Sequence, residues 1–300
     1  MAQVQANGST IEYEAFGPEG GEPMLLIMGL GCQLTRWPLP LVDQLVAKGF
    51  RVIRFDNRDV GLSTHFREAG VPDLMSVAAV ALSGGTPEAP YRLTDMAADA
   101  LGLMDALGLA SAHLVGVSMG GMIAQVVAVT RPERVRSMTL IMTTTGELHL
   151  PGPTPEAAAM LMTPYPSPKE VEAFAAHGVK VWRTIGSTGF EIDDAAVRER
   201  VLADAERAYD PGGFARQLAA IYASGERASS LKAVKVPTVV VHGEADPLVP
   251  VDCGKAVAAA IPGAELRLIP GMGHDLPPQL YGAFVDAIMA AVEHSRVPAG

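Results

Sequence analysis

Residues Gly116-Val117-Ser118-Met119-Gly120 place a serine between two glycines. They follow an apolar run at 113–117 and open an apolar helical stretch at 119–130. A serine on so tight a strand-to-helix turn needs small neighbours; Gly116 and Gly120 meet that need, and Gly121 lets the helix approach the sheet closely. The start of the helix offers unpaired N–H groups and positive potential, which suits a reaction that builds negative charge beside the serine. The chemistry expected is attack by Ser118 on an acyl carbon to give a covalent intermediate. A G-x-S-x-G pattern also occurs in ordinary glycine-rich turns, so the reading depends on partners elsewhere in the chain.

A serine hydroxyl is inert near neutral pH until an imidazole takes its proton and a carboxylate orients that imidazole. Seven histidines compete. His113 and His242 fall in predicted strands and read as core residues; His65, His149, His177 and His294 sit in loops or helices without a supporting pattern. His274 ends Ile269-Pro270-Gly271-Met272-Gly273-His274, a loop whose proline and glycines can reach back over the strand ends. For the acid, Val241-His242-Gly243-Glu244-Ala245-Asp246-Pro247 leaves a strand with two carboxylates. Asp246 is preferred, because Pro247 and Pro250 hold its loop extended, whereas Glu244 lies nearer the strand and reads as solvated. Thr143, Thr144 and Thr145 follow the strand ending at Met142 and supply no alternative acid. Two N–H groups must face the developing oxyanion. Those of Met119 and of Leu30, in Met28-Gly29-Leu30-Gly31, are the candidates, with Gly31 the runner-up.

These residues need a scaffold. Asn7-Gly8 separates two β-prone stretches and suits a hairpin turn. Buried parallel strands are expected at 24–28, 51–55, 113–117, 138–142, 238–241 and 266–269, and helices at 39–47, 94–107, 119–130, 252–260 and 279–293. Their alternation predicts an α/β fold with a mostly parallel, doubly wound sheet. Residues 147–230 break the rhythm with proline-punctuated helical segments and read as a helical cap over the strand ends, inserted into a core of 1–146 and 231–300. Apolar side chains expected at a substrate pocket are Trp37, Trp182 and Phe190, with Met119, Met160 and Met162 beside them.

The composition narrows the partners. Apolar residues make up 49% and charged residues 19%, enough to bury a core that offsets chain entropy. The formal charge of −10, without a basic run, argues against nucleic acid. The first ten residues lack the features of a signal peptide and no apolar run reaches membrane-spanning length, so the expectation is a cytoplasmic protein with no membrane partner, acting on a small-molecule ester and free to form a homo-oligomer. Cys32 and Cys253 are expected as reduced thiols. No metal or cofactor is expected. Gly29-Leu30-Gly31 imitates a dinucleotide fingerprint, but Leu34 stands where its third glycine belongs and Trp37-Pro38 precedes any helix. His242-Gly243-Glu244 echoes a zinc-deaminase motif that no P-C-x-x-C completes.

Together the motifs resemble the α/β-hydrolases, and within them esterases similar to the aclacinomycin methylesterases. The resemblance spans nearly the whole chain. It rests on Met28-Gly29 followed by Trp37-Pro38, on Arg54-Phe55-Asp56-Asn57-Arg58-Asp59 leading to Gly61-Leu62-Ser63, on the Ser118 turn, and on 269–274. Most of the wider family has a His-Gly pair in the oxyanion loop; Met28 stands in place of that histidine here, as in the methylesterase-like branch. The resemblance implies the α/β-hydrolase fold, carboxylesterase activity and the triad order Ser118, Asp246, His274. It gives Asp56 and Arg58 a structural role, bracing the loop near the serine. Lactone, C–C bond and perhydrolase chemistry, or a non-catalytic ligand receptor, are the alternatives on the same scaffold.

Overall fold

Asn7 and Gly8 both take positive φ, 49° and 74°, the pair of conformations that reverses a right-twisted ribbon. They join β1 (Ala2–Ala6) to β2 (Ser9–Phe16) in the antiparallel hairpin that the sequence predicts. The structure is a computed structural model and describes residues 1–296. The remaining strands are β3 (Glu22–Ile27), β4 (Phe50–Phe55), β5 (Ala112–Val117), β6 (Val135–Ile141), β7 (Thr238–Gly243) and β8 (Glu265–Ile269). They form one eight-stranded sheet in the order β1-β2-β4-β3-β5-β6-β7-β8, parallel from β4 onward. Every residue of β5 and β7 is buried, which is why those strands read as continuous apolar runs rather than as an alternation.

Helices cover both faces. The alternation of side chains along β3 sends Leu25 and Ile27 to one side, and Met24 and Leu26 to the other. The first face packs on α3 (Leu93–Ala106), α4 (Met119–Thr130) and α10 (Val251–Ala260). The second packs on α1 (Leu39–Ala47) and α11 (Tyr281–Arg296). The doubly wound α/β fold is therefore as expected.

One helix was not legible: α2 (Leu74–Leu82), whose sequence LMSVAAVAL is apolar all round and has no helical period. Asp73 caps it, accepting the Met75 N–H at 3.1 Å. Between β6 and β7 lie α5 (Pro155–Met162), α6 (Val171–Ile185), α7 (Asp194–Arg207), α8 (Pro211–Ser224) and α9 (Ala228–Leu231), and the described residues there hold no strand. Helices α6 and α7 share a small core of Phe174, Val197 and Val201. The end of this segment merges with the main core through Ala220, Ala228 and Leu231.

Candidate active site

Ser118 joins β5 to α4 with φ 55° and ψ −118°, a conformation that costs a non-glycine residue free energy and must be imposed by its surroundings. The surroundings are backbone. A Cβ at Gly116 would lie 2.4 Å from the Gly120 carbonyl oxygen, and one at Gly120 would lie 2.0 Å from that of Ile27. The Ser118 N–H donates to the Ile141 carbonyl at 2.9 Å, and the Ser118 carbonyl accepts the Gly121 N–H at 2.9 Å and the Thr143 hydroxyl at 2.7 Å. The main chain is thus held on both sides while the hydroxyl projects.

That hydroxyl lies 3.0 Å from His274 Nε2, and His274 Nδ1 lies 2.7 Å from Asp246 Oδ2. Beside a carboxylate, Nδ1 carries the hydrogen, which leaves Nε2 to accept from the serine. The other oxygen of Asp246 accepts the Leu248 and Val249 N–H groups at 2.9 and 2.8 Å, so the turn at Pro247 locks the carboxylate. Glu244 is exposed and points no contact toward His274. Buried His242 lies 3.7 Å from Asp246 and donates through Nε2 to the Val249 carbonyl at 2.7 Å. Burial pulls its pKa below the ordinary histidine value, which keeps it neutral beside the site.

The loop carrying His274 is clasped by the end of α6 and the residues that follow it. The His274 N–H donates to the Ile185 carbonyl at 2.7 Å, and the Gly189 N–H donates to the Gly271 carbonyl at 2.8 Å. The Ser187 hydroxyl donates to Asp275 at 2.5 Å and accepts the Gly273 N–H at 2.9 Å. A Cβ at Gly273 would meet the Gly186 carbonyl group at 2.3 Å, so backbone packs on backbone here. Ser187 and Asp275 were missed in the sequence. Asp275 adjoins His274, but no spacing ties it to a serine 88 positions away.

After β3 the chain runs beneath Ser118: a Cβ at Gly29 would lie 3.2 Å from the Ser118 Cβ. Asn57 donates to the Met28 carbonyl at 2.9 Å. Gln217, on α8, accepts the Gly31 N–H at 2.8 Å and donates to the Arg58 carbonyl at 2.7 Å. Gly31 is therefore committed elsewhere, whereas among the described residues no acceptor takes the N–H of Leu30 or of Met119. Asp56 accepts the Leu34 and Leu62 N–H groups at 2.7 and 2.9 Å and pairs with Arg207 at 2.7 Å. Arg58 grips Asp99 at 2.6 and 2.7 Å. Both are bracing contacts, the role that the resemblance implies. Asp59, His65 and Asp210 converge closely enough to suggest a cation site, but the Arg216 guanidinium already bonds both carboxylates.

Ser118 and His274 line a cavity of about 2130 Å³, walled on its far side by α5 to α8 through residues such as Met160, Trp182 and Leu218. Trp182 and the methionines Met160 and Met162 are on this wall. Trp37 is not: it is fully buried with Leu41, Leu45 and Val52 beneath the sheet, because the short turn at Leu34–Arg36 sends its ring to the α1 side. Phe190 likewise packs on that core rather than on the cavity, which its neighbours Glu191 and Ile192 line instead. Met119 does not line the cavity either, its side chain being core. Cys32 and Cys253 are unpaired thiols, and no described helix is long and apolar enough to cross a membrane.

A model of the alpha/beta hydrolase fold family matches residues 22–177, more than half of the chain. A rhodomycin D methylesterase of Streptomyces peucetius is 29% identical, with 96% of this chain and 95% of that protein covered. A poly(3-hydroxyalkanoate) depolymerase of Ectopseudomonas oleovorans is 32% identical over 82% of this chain and 76% of its own length. Among solved structures, a meta-cleavage product hydrolase of Pseudomonas fluorescens IP01 superposes with a TM-score of 0.72 at 21% identity, covering 99% of this chain and 98% of that one. The doubly wound sheet is consistent with the family match over residues 22–177, and the chain belongs to the alpha/beta hydrolase fold family.

Proposed function

We propose that this protein is a carboxylesterase that works through an acyl-enzyme, with Ser118 as nucleophile, His274 as general base and Asp246 orienting the imidazole. The observation that carries the reading is the unbroken contact from Asp246 through His274 to Ser118, opening on a large cavity. His274 Nε2 takes the hydroxyl proton as Ser118 Oγ bonds to the ester carbon. The carbonyl oxygen gains the electron pair and is met by the Leu30 and Met119 N–H groups. Collapse expels the alcohol, protonated by His274, and a water activated in the same way releases the acid. Apart from substrate and water, the groups these steps require all belong to the chain, so the proposed mechanism calls on no metal or cofactor.

Ester cleavage is preferred among the family's chemistries because the methylesterase relative matches end to end. Residues 147–230 act as the cap of the proposed pocket. Two unpaired thiols suit the reducing cytoplasm. The test is Ser118→Ala, assayed on a panel of esters and with a fluorophosphonate probe. We expect unchanged folding by circular dichroism, no labelling, and kcat lowered by about a thousandfold or more. Labelling of the variant at the wild-type rate would place the nucleophile elsewhere.

A further inference from the structure

Four arginines line the cavity, and three of them have ion-pair or hydrogen-bond partners within the protein. Arg36 pairs with Asp204 at 2.5 Å, although its Nη1 is buried without a partner, and Arg183 pairs with Asp194 at 2.6 Å. Arg227 donates to Gln125 and to the Gly225 and Thr144 carbonyls at 2.9 to 3.0 Å. Arg200, on α7, differs. Among the described residues no carboxylate comes within ion-pair distance of it, no hydrogen bond uses it, and its Nε is buried without a partner. Its guanidinium carbon lies 5.4 Å from the centre of the Trp182 ring, which carries Arg36 at 5.2 Å. Burial first, then the like charge of Arg36, lowers the Arg200 pKa, against the smaller opposing effects of Tyr281 and Asp204.

A partly buried guanidinium with no counter-ion costs free energy, and a neighbouring arginine adds to that cost. Stacking on Trp182 offsets some of it, yet leaves the planar N–H fork unused. A carboxylate matches that fork and would neutralise the excess charge of the Arg36, Asp204 and Arg200 group. The cavity that both Arg200 and Ser118 line also has apolar wall from Met160, Val181 and Leu218. We propose that Arg200, seated on Trp182, is a binding site for a carboxylate in the non-reacting part of the substrate. The substrate class, which rests on the esterase reading above, is then an ester with an apolar body and a remote carboxylate.

The test uses the monomethyl and dimethyl esters of straight-chain dicarboxylic acids of increasing length, which differ only in whether the far end is charged. At the length that fits, wild-type kcat/KM should favour the monoester. Arg200→Gln should lower the monoester-to-diester ratio by at least about tenfold, the range of a charge-assisted hydrogen bond, and Arg200→Lys by less. Raised salt should erode the preference in the unaltered enzyme, a measurement that stands even where Arg200→Gln fails to fold. Binding is read separately in Ser118→Ala: the monoester should change tryptophan fluorescence, the diester should not, and Trp182→Phe should abolish the response. A ratio that is the same in wild type and Arg200→Gln, or fluorescence responses that are equal for the two esters, overturns the carboxylate site while leaving the esterase reading in place. A selective fluorescence response with no hydrolysis of either ester does the reverse.

Discussion

At the scale of single residues, the candidate site is an argument about which polar group faces which. Asp246 and Glu244 stand two positions apart on one turn, and the choice between them follows from Pro247, which lets the Leu248 and Val249 N–H groups close on one carboxylate oxygen. The other oxygen is then left for His274. Asp246→Asn should lower kcat by about a thousandfold or more, because an amide can present its N–H to Nδ1 and trap the wrong tautomer. Glu244→Gln should change kcat by less than about twofold, as expected of a solvated surface group. Steady-state kinetics of the two variants on one ester check this, and a greater loss from the glutamate change would reverse the assignment. Ser187 and Asp275 belong to the same scale but left no trace in the chain, since a single buried hydroxyl–carboxylate contact has no spacing rule.

At the scale of elements, glycine decides whether β5 and α4 can meet around Ser118. Gly120 has an atom of the β3 backbone where its side chain would stand, so Gly120→Ala must push β3 and α4 apart. We expect a loss of about 3 kcal/mol or more, in the range of severe overpacking, and a fall in Tm of roughly 6 °C or more. Gly20→Ala, where nothing lies within 4 Å of the added methyl, is the control and should melt close to wild type. Equal melting of the two variants in thermal denaturation would mean that β3 and α4 are not tightly apposed. Helix α8 shows a second kind of element-level coupling. Its Gln217 bridges the Gly31 N–H and the Arg58 carbonyl, so the loop beneath Ser118 is tied to a helix nearly two hundred residues away in sequence.

At the scale of the whole molecule, helices α5 to α8 supply much of the wall of the cavity that Ser118 lines. Trp182 stands on the wall they make, with the guanidinium groups of Arg36 and Arg200 both near its ring. Trp182→Ala should cut kcat/KM for bulky esters by at least about tenfold more than for p-nitrophenyl acetate, because remote contacts position a large substrate and do little for a small one. Parallel assays of the two substrate classes test it; equal losses would make Trp182 a packing residue like Trp37.

The sequence by itself determined the mostly parallel sheet, its two helical faces and the candidates Ser118, Asp246 and His274 that the structure brings into contact. Those features are written in local patterns: apolar runs for buried strands, glycines where backbones touch, and prolines where a loop must stay extended. Tertiary structure alone decided the rest. Trp37 and Trp182 are the same residue type near helix ends, yet one is core and the other is wall, because the side of the sheet to which a ring turns depends on how distant elements pack. The clasp of Ser187 on the His274 loop, the capture of Gly31 by Gln217 and the unpaired state of Arg200 were illegible for the same reason. Each is a relation between residues far apart in the chain, and hydrogen bonding and charge pairing depend on distance in space, which spacing along the chain does not encode once the fold has closed.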